Sequence, residues 1–159
     1  HRSASVSTAE LSRDALDAIV LRCVAMAREA PEDEFAGLAP ADRLMTVPAP
    51  DLDLDDGSEA DPQALRAAAL AAEEAARAVP GVTNSEGGSA GHSRTRFALA
   101  TSHGFTGGYG SSAHSLSASV IAGEGSDMQR DYGWHSARHA ADLESPEDIG
   151  ARAGARALA

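Results

Sequence analysis

Two histidines near the end of the chain, His135 and His139, have a spacing that could support metal chemistry. In a helix, side chains four residues apart lie on one face, so the two imidazoles could share a zinc ion. The hydrolytic version of this pair needs a glutamate directly after the first histidine as general base, but Ser136 occupies that position. The local pattern also predicts the end of a strand, where positions i and i+4 stand about 13 Å apart. We therefore predict two polar surface histidines and no zinc site.

His103 and His114 form a second candidate pair. His103 lies in a predicted turn, SHG, and His114 begins a predicted strand. Antiparallel pairing of the segments around FTGGYGSS would bring the two rings near each other. No third ligand stands at a readable spacing, so the sequence predicts neither a native metal site nor a cofactor within this chain.

The stretch PAPDLDLDDGSEADP suggests a calcium loop by its density of carboxylates. An EF-hand loop requires the pattern D-x-[DN]-x-[DN]-G. After Asp51, Asp53 and Asp55, the glycine at position 57 comes one residue too late. The stretch is therefore interpreted as a solvated acidic connector.

Other residues that could support chemistry are interpreted as structural. Cys23 lies on the apolar face of a predicted helix and is interpreted as a packing residue, and a single cysteine excludes an internal disulfide. The glycines of GFTGGYG lack the strand-to-helix context of a phosphate-binding loop. Ser85 and His103 could form a nucleophile and base, but no acid is specified to orient the histidine.

Hydrophobic periodicity and turn signals place these residues on an α+β fold, an antiparallel sheet of three to five strands with about three helices packed on it. The predicted helices cover about 12–30, 62–79 and 146–159, with Ser12, Asp61 and Ser145 as N-caps. The predicted strands cover 2–8, 92–101, 105–109 with 113–122, and 127–138. The first helix should bury one face, made of Leu16, Ile19, Val20, Cys23, Val24 and Ala27. The second helix is rich in alanine and should pack closely on another element.

The charge balance bears on the partners. The formal net charge is −11, and the Lys and Arg residues are scattered. Nucleic-acid binding requires a basic face, so a nucleic-acid partner is disfavoured. No apolar run approaches the roughly 20 residues needed to span a bilayer. We therefore predict no nucleic-acid partner, no membrane partner and a cytoplasmic location.

Several longer sequence motifs follow one another along the chain. They are EFAGLAP, DLDLDD, VTNSEGG, SHGFTGGYGSSAHSLSASVIA and DMQRDYGWHSARHAADLESPEDIGARAGARAL. This series resembles the TldD/PmbA family of peptidase subunits, and in particular its PmbA (TldE) branch, over nearly the whole chain. It departs from the family pattern at Gly133, where an aromatic residue is usual. The resemblance implies that residues 1–30 are the end of the family's amino-terminal domain and that residues 31–159 are its central domain.

The resemblance also implies a function. The family is an intracellular, zinc-dependent peptidase system in which two related subunits form a hollow complex acting on flexible or unfolded peptides. Its zinc site belongs to the TldD-type subunit, in an HExxxH helix with a later cysteine, and the PmbA-type subunit lacks that motif. This chain contains no HExxxH. We therefore expect a non-catalytic scaffold and interaction domain, with zinc held by the partner subunit or the complete complex.

Two alternatives stay open. The chain could belong to a TldD-like zinc peptidase whose HExxxH motif lies downstream of this segment, so the sequence leaves the enzymatic activity of the parent protein undecided. A gyrase-modulating role, suggested by an older family name, is disfavoured by the negative charge.

The resemblance implies a TldD-like subunit as partner in a heterodimer, or a second copy in a homodimer, together with a peptide substrate. The candidate contact residues lie in two glycine-rich turns, and they are Asn84, Ser85, Glu86, His103, Phe105 and Tyr109. Glycine lets a partner backbone approach closely, and aromatic rings provide apolar area with few rotamers to freeze. The alternative is that these are ordinary hairpin turns with an aromatic side chain tucked into the local core.

Overall fold

The chain divides into two units, residues 1–48 and 49–159, of which the computed structural model describes residues 1–45 and 47–159. Unit 1 holds the first helix, and unit 2 holds the sheet with the other two helices. In chain order the elements are α1 (Arg13–Glu29), α2 (Pro62–Arg77), β1 (Val82–Ala100), β2 (Thr106–Ala122), β3 (Gln129–Ala137) and α3 (Pro146–Ala157), with 3-10 turns at Ala41–Arg43, Gly125–Asp127 and Ala140–Asp142. The predicted α+β class is confirmed.

The three helices begin where the sequence predicts. Ser12, Asp61 and Ser145 each accept a hydrogen bond from a backbone N–H two or three residues further on. These bonds satisfy amides that have no partner inside the helix, which fixes the first turn. α2 and α3 also have proline at their first position, where its missing N–H costs nothing.

Unit 1 corrects two predictions. Residues 2–8 are not a strand, because within the described part of the chain no strand pairs with them. α1 has no buried residue, although one buried apolar face was predicted, and Val20 is 60% exposed. The partly buried side of α1 includes Cys23, whose thiol donates to the Ala4 carbonyl at 3.5 Å. The amino-terminal segment thus covers one side of α1 and leaves the neighbouring apolar residues exposed.

The sheet has the antiparallel order β1-β2-β3. β1 begins at Val82, ten residues before the predicted start at residue 92, and β2 is continuous where two separate pieces were predicted. Both differences have one cause. The Gly- and Ser-rich stretches that were interpreted as turns pair across the hairpin without interruption from Gly87 to Ala100. The turn itself is shorter and lies at residues 101–105, with Gly104 at φ +88°.

The core lies between one face of the sheet and the two helices of unit 2. Its buried members come from β2, α2 and α3, and they are Leu116, Ala118, Val120, Ala122, Ala72, Ala76, Ile149, Ala153 and Ala157. Alternate residues of a strand face the same side, so the even-numbered positions of β2 form the covered face. The odd-numbered positions, many of them serines, form the open face of the sheet.

The helices approach each other and the sheet at glycines. A Cβ atom at Gly150 of α3 would stand 2.3 Å from the Ala72 carbonyl oxygen of α2. A Cβ atom at Gly88 would stand 2.0 Å from the Ala69 carbonyl, and one at Gly133 would stand 2.3 Å from the Ile149 carbonyl. The predicted close packing of the alanine-rich helix is confirmed. Gly133, where the chain departs from the family pattern, is a position at which this backbone leaves no room for a side chain.

We predict that Ala72→Leu lowers the free energy of unfolding by about 1–3 kcal/mol, because three extra carbons must enter a fully packed contact. Ala72 is 0% exposed. Ala67→Leu, on the exposed side of the same helix, is the matched control and should leave stability nearly unchanged. Urea denaturation followed by circular dichroism measures both values, and equal midpoints for the two variants would show that the α2 contact tolerates added volume.

Candidate functional site

The distal part of the β1–β2 hairpin projects from the rest of unit 2. We call residues 93–111 the arm. Every residue from Ser93 to Ala100 is exposed, whereas β2 becomes buried from Ser112 onward. The arm therefore consists of two strands and a turn that α2 and α3 leave uncovered.

The six candidate contact residues fall at opposite ends of this hairpin. Asn84 pairs with Ile121 near the base, whereas His103, Phe105 and Tyr109 lie at or near the tip. The ladder from Asn84 to the turn measures about 50 Å at the rise of a strand. The structure therefore does not bring the two groups together, and each has to be considered as a separate surface.

The tip carries an aromatic patch made of Phe97, Leu99, Phe105 and Tyr109. The rings of Phe97 and Tyr109 face each other across the ladder with their centroids 5.5 Å apart. These residues are 50% and 56% exposed, and Leu99 is 47% exposed. The Phe105 ring is half-buried and lies over Gly107, where an added Cβ atom would meet it at 2.8 Å. The Phe97 and Tyr109 rings thus pack on each other at the surface, and the buried core cluster of unit 2 does not include Phe97, Phe105 or Tyr109.

At the base, Asn84, Ser85 and Glu86 use their polar atoms within the chain. The Asn84 side chain accepts from the Ser85 amide, and the Ser85 hydroxyl accepts from the Gly87 amide, where the strand register shifts. The Glu86 carboxylate accepts from the Ser119 hydroxyl at 2.7 Å and from Arg130 at 3.2 Å. The Ser119 hydroxyl and the Arg130 guanidinium lower the pKa of Glu86. The polar side chains at this end of the hairpin are therefore explained by their contacts within the chain.

A buried polar group that sequence reasoning missed joins the acidic connector to the sheet. We call it the Asp56 cluster. The Asp56 carboxylate contacts His114 Nε2 at 2.9 Å and accepts from the Ala140 amide at 2.9 Å. Ser58 donates to the other carboxylate oxygen through its amide and its hydroxyl. The Ala140 and Ser58 donors, with His114, hold the pKa of Asp56 well below its ordinary value of 3.8.

Ser112 completes this attachment from the sheet side. Its side chain is fully buried, donates to the Arg138 carbonyl at 2.6 Å and accepts from the Asp56 amide at 3.1 Å. Its own amide donates to the Leu54 carbonyl at 2.9 Å. One backbone bond and the Ser112 hydroxyl thereby join the connector to β2.

The histidine beside His114 is His92, and the predicted proximity of His103 to His114 is wrong. His92 and His114 are opposite each other in the ladder, and their ring centroids are 4.7 Å apart. His103 lies in the turn, eight or more residues further along each strand. Among the described residues, His92 Nε2 is buried and has no hydrogen-bond partner. One feature of the sequence could have indicated that His114 is buried. It stands at an even-numbered position of β2, on the face that also carries the apolar core.

Two other residues of the connector, Asp53 and Asp55, add contacts to its attachment. Arg94 contacts Asp55 at 2.8 Å and lowers the pKa of that carboxyl group. His139 Nε2 contacts the Asp53 carbonyl at 2.9 Å, and this bond raises the pKa of His139 above 6.5. The His139 contact therefore stabilises the fold below pH 6.5 and is lost as the pH rises through the raised pKa. The interpretation of this stretch as a solvated connector is wrong for its second half, where Asp55 and Asp56 are largely covered.

The two histidines of the candidate zinc pair have different partners. His135 Nδ1 accepts from the Glu144 amide at 3.1 Å, whereas His139 contacts Asp53. His135 lies in β3 and His139 lies just beyond it, so no helix places them on one face. Across residues 1–45 and 47–159, no three His, Cys, Asp or Glu side chains come together as metal ligands.

The open face of the sheet forms a shallow groove of about 460 Å³. Its floor includes Ser89 and Ser117, and its wall is formed by Tyr132 and Trp134, which are 51% and 57% exposed. The two aromatic residues lie opposite Ser119 and Ser117 in the ladder, so the predicted common face of Tyr132 and Trp134 is confirmed. A second groove of about 420 Å³ lies on the arm, beside Asp55, Arg96, Phe97 and Tyr109.

The fold and the surface define the class of protein. Unit 2 is an α+β domain with an exposed hairpin arm, and its polar cluster attaches a connector to the sheet. Residues 55–159 match the family model described as the PmbA/TldA metallopeptidase central domain. The chain belongs to this metallopeptidase family, and the resemblance read from the sequence is confirmed.

Curated relatives give the same assignment. Over 159 residues the chain is 39% identical to the metalloprotease PmbA of Escherichia coli O157:H7, covering 99% of the chain and 35% of that relative. It is 35% identical to the PmbA homologue of Haemophilus influenzae, covering 92% of the chain and 32% of that relative. The chain thus spans about a third of the length of these relatives.

Solved structures share the fold. A proposed modulator of DNA gyrase from Bacteroides thetaiotaomicron superimposes with a TM-score of 0.88 at 29% identity, covering 99% of the chain and 36% of that structure. TldE from Thermococcus kodakarensis superimposes with a TM-score of 0.68 at 21% identity, covering 96% of the chain and 34% of that structure. The second likeness concerns the fold alone. No described helix combines the length and the apolar character that crossing a membrane requires.

We predict that Asp56→Asn lowers the melting temperature at neutral pH and that this difference disappears in acid. A carboxyl group with a depressed pKa stabilises the fold above its ordinary pKa of 3.8, and this contribution is lost as the pH falls from there toward the lower folded-state pKa. Asp51→Asn, in the exposed part of the same connector, is the control. Thermal melts across the acid range measure both differences. A gap between Asp56→Asn and wild type that keeps its size below pH 3.8 would contradict the assigned role of the carboxylate.

Proposed function

We propose that this chain is a non-catalytic scaffold and interaction part of a PmbA (TldE)-like subunit, within a zinc metallopeptidase complex that acts on flexible or unfolded peptides. The observation that carries the proposal is the match of residues 55–159 to the central-domain model of the family. The names of the curated relatives, all PmbA, support assignment to that branch.

The side-chain arrangement supports a structural role for this part of the complex. Three of the four candidate histidines, His114, His135 and His139, make hydrogen bonds that attach one segment to another, and the Asp56 carboxylate of the connector is the partner of His114. Zinc is proposed to reside in the partner subunit or elsewhere in the complete complex. The partner is proposed to be a TldD-like subunit, with a homodimer as the alternative. The cytoplasmic location and the assignment of residues 1–30 and 31–159 to two family domains stay predictions.

The surface proposed for contact is the arm. His103, Phe105 and Tyr109 lie on it, and its aromatic patch is exposed without support from α2 or α3. Exposed aromatic clusters are typical of interface centres, because rigid rings bury area at small entropic cost. Asn84, Ser85 and Glu86 are weaker candidates, since their side chains already bond within the chain.

The parent protein tests this proposal when it is purified alone and together with a TldD-like subunit of the same organism. We expect peptide hydrolysis and bound zinc with the complex, and neither with the parent protein alone. Unfolded casein peptides serve as substrate, and metal content is measured after dialysis. Hydrolysis and stoichiometric zinc in the parent protein alone would overturn the proposal and support the alternative, a TldD-like peptidase with its own HExxxH motif.

The arm is tested in the same system by Phe105→Ser combined with Tyr109→Ser. We expect the yield of co-purified partner to fall about tenfold, because central aromatic residues contribute a large share of interface energy. Tyr132→Ser, on the open face of the sheet away from the arm, is the control and should keep the wild-type yield. A folded double variant that co-purifies at the wild-type yield would show that the arm tip is not the contact.

A further inference from the structure

The open face of the sheet is uncharged over most of its length. It comprises the odd-numbered positions of β2 and the residues opposite them in β1 and β3. The described residues of this face include no Asp, Glu, Lys or Arg within Ser89–Leu99, Gly107–Ser119 and Tyr132–Ser136. Most of them are serine, glycine or aromatic, which is also the composition of antibody binding loops. Such a face selects an occupant by its shape and its apolar surface more than by its charge.

The groove on this face combines aromatic rings with hydroxyl groups. Tyr132 and Trp134 form its wall, and Ser89, Ser115 and Ser117 lie along its floor. Within the described part of the chain, none of these three serine hydroxyls takes part in a hydrogen bond to another protein atom, in contrast to the hydroxyls of the Asp56 cluster. The groove therefore offers hydrogen-bonding groups that the fold itself does not use.

The charged groups at the margin of the groove are paired within the chain. The Arg156 guanidinium lies 5.5 Å from the centre of the Tyr132 ring and contacts Asp131 at 3.2 Å. Glu86 and Arg130, at the base of the hairpin, contact each other at 3.2 Å. These pairs leave little net charge by which the groove could select an occupant.

The outer edge of β3 is closed to a further strand. The Trp134 carbonyl accepts from Arg152 at 3.1 Å, and the Tyr132 amide donates to the Asp131 carboxylate at 2.7 Å. A peptide that added to this edge would need the same backbone groups. An extended segment is therefore expected on the face of the sheet and not at its edge.

We propose that the groove binds an extended, uncharged segment of a peptide substrate. This inference rests on the proposed function, which supplies the peptide, and it adds a binding site on this chain. Alternate side chains of an extended peptide stand about 6.6–7 Å apart on one side, which is also the spacing of Tyr132 and Trp134 along β3. Two apolar side chains of the segment pack on the two rings, and the serine hydroxyls bond to its backbone.

Trp134 is the only tryptophan of the chain, so its fluorescence reports on the groove. The probe is the heptapeptide Ser-Thr-Phe-Thr-Phe-Thr-Ser with both ends blocked, which has two apolar side chains at the required spacing. We expect a saturable change of the Trp134 emission with a dissociation constant of about 0.1–1 mM. The same peptide with alanine in place of both phenylalanines should bind about tenfold more weakly, because it has no ring to pack on the wall.

Two variants test the wall and the floor separately. Tyr132→Ser should raise the dissociation constant about tenfold and Ser117→Ala about two- to fivefold, because they remove a ring and a hydroxyl group. Phe35→Ser, at an aromatic residue of unit 1 that is 88% exposed, is the control and should change it little. No saturable emission change with the wild-type chain, or equal dissociation constants for Tyr132→Ser and Phe35→Ser, would overturn the proposal.

Two other occupants of the face give different results. If a second copy covered it, the Trp134 emission would change when the chain alone is diluted from about 100 µM to about 1 µM. If another part of the parent protein covered it, Tyr132→Ser would leave the KM of the complex for casein peptides unchanged, whereas we expect a rise of about fivefold with the same kcat. Either result would overturn the proposal. Bound zinc and co-purification with a TldD-like subunit do not depend on this groove, so the proposed function is judged separately.

Discussion

Direct backbone contact between α2, α3 and the sheet is the constraint on which the rest of unit 2 depends. Gly150 meets the Ala72 carbonyl, Gly133 meets the Ile149 carbonyl and Gly88 meets the Ala69 carbonyl, each at a distance that excludes a Cβ atom. Small side chains provide little apolar area, so burial here comes from the proximity of whole elements. A core made mainly of alanine is therefore stable only while these three contacts are intact.

This constraint determines what the surface can offer. Because both helices pack close to the proximal part of the hairpin, they cover the even-numbered residues of β2 and leave the arm and the odd-numbered face exposed. The Asp56 cluster then uses the same face of β2, beyond the apolar core, to hold the connector. The polar attachment and the exposed aromatic patch are thus two consequences of where the helices end.

The helices of this fold could be predicted from the sequence, because capping residues and proline act locally at Ser12, Asp61 and Ser145. The strands were harder, since GGYGSS has weak strand propensity and pairs only because β1 lies beside it. The Asp56 cluster could not be predicted, because Asp56, His92 and His114 become neighbours only through the strand register and the path of the connector.

Native-state hydrogen exchange of wild type and Gly150→Ala tests the central constraint most directly. The structure predicts that the variant loses protection together in α2, α3 and residues 116–122 of β2, because one displaced contact loosens all three elements. Gly37→Ala, at a glycine with open space around it, serves as the control for glycine replacement outside the contact. Loss of protection confined to α3, or none at all, would contradict the dependence of the fold on these backbone contacts.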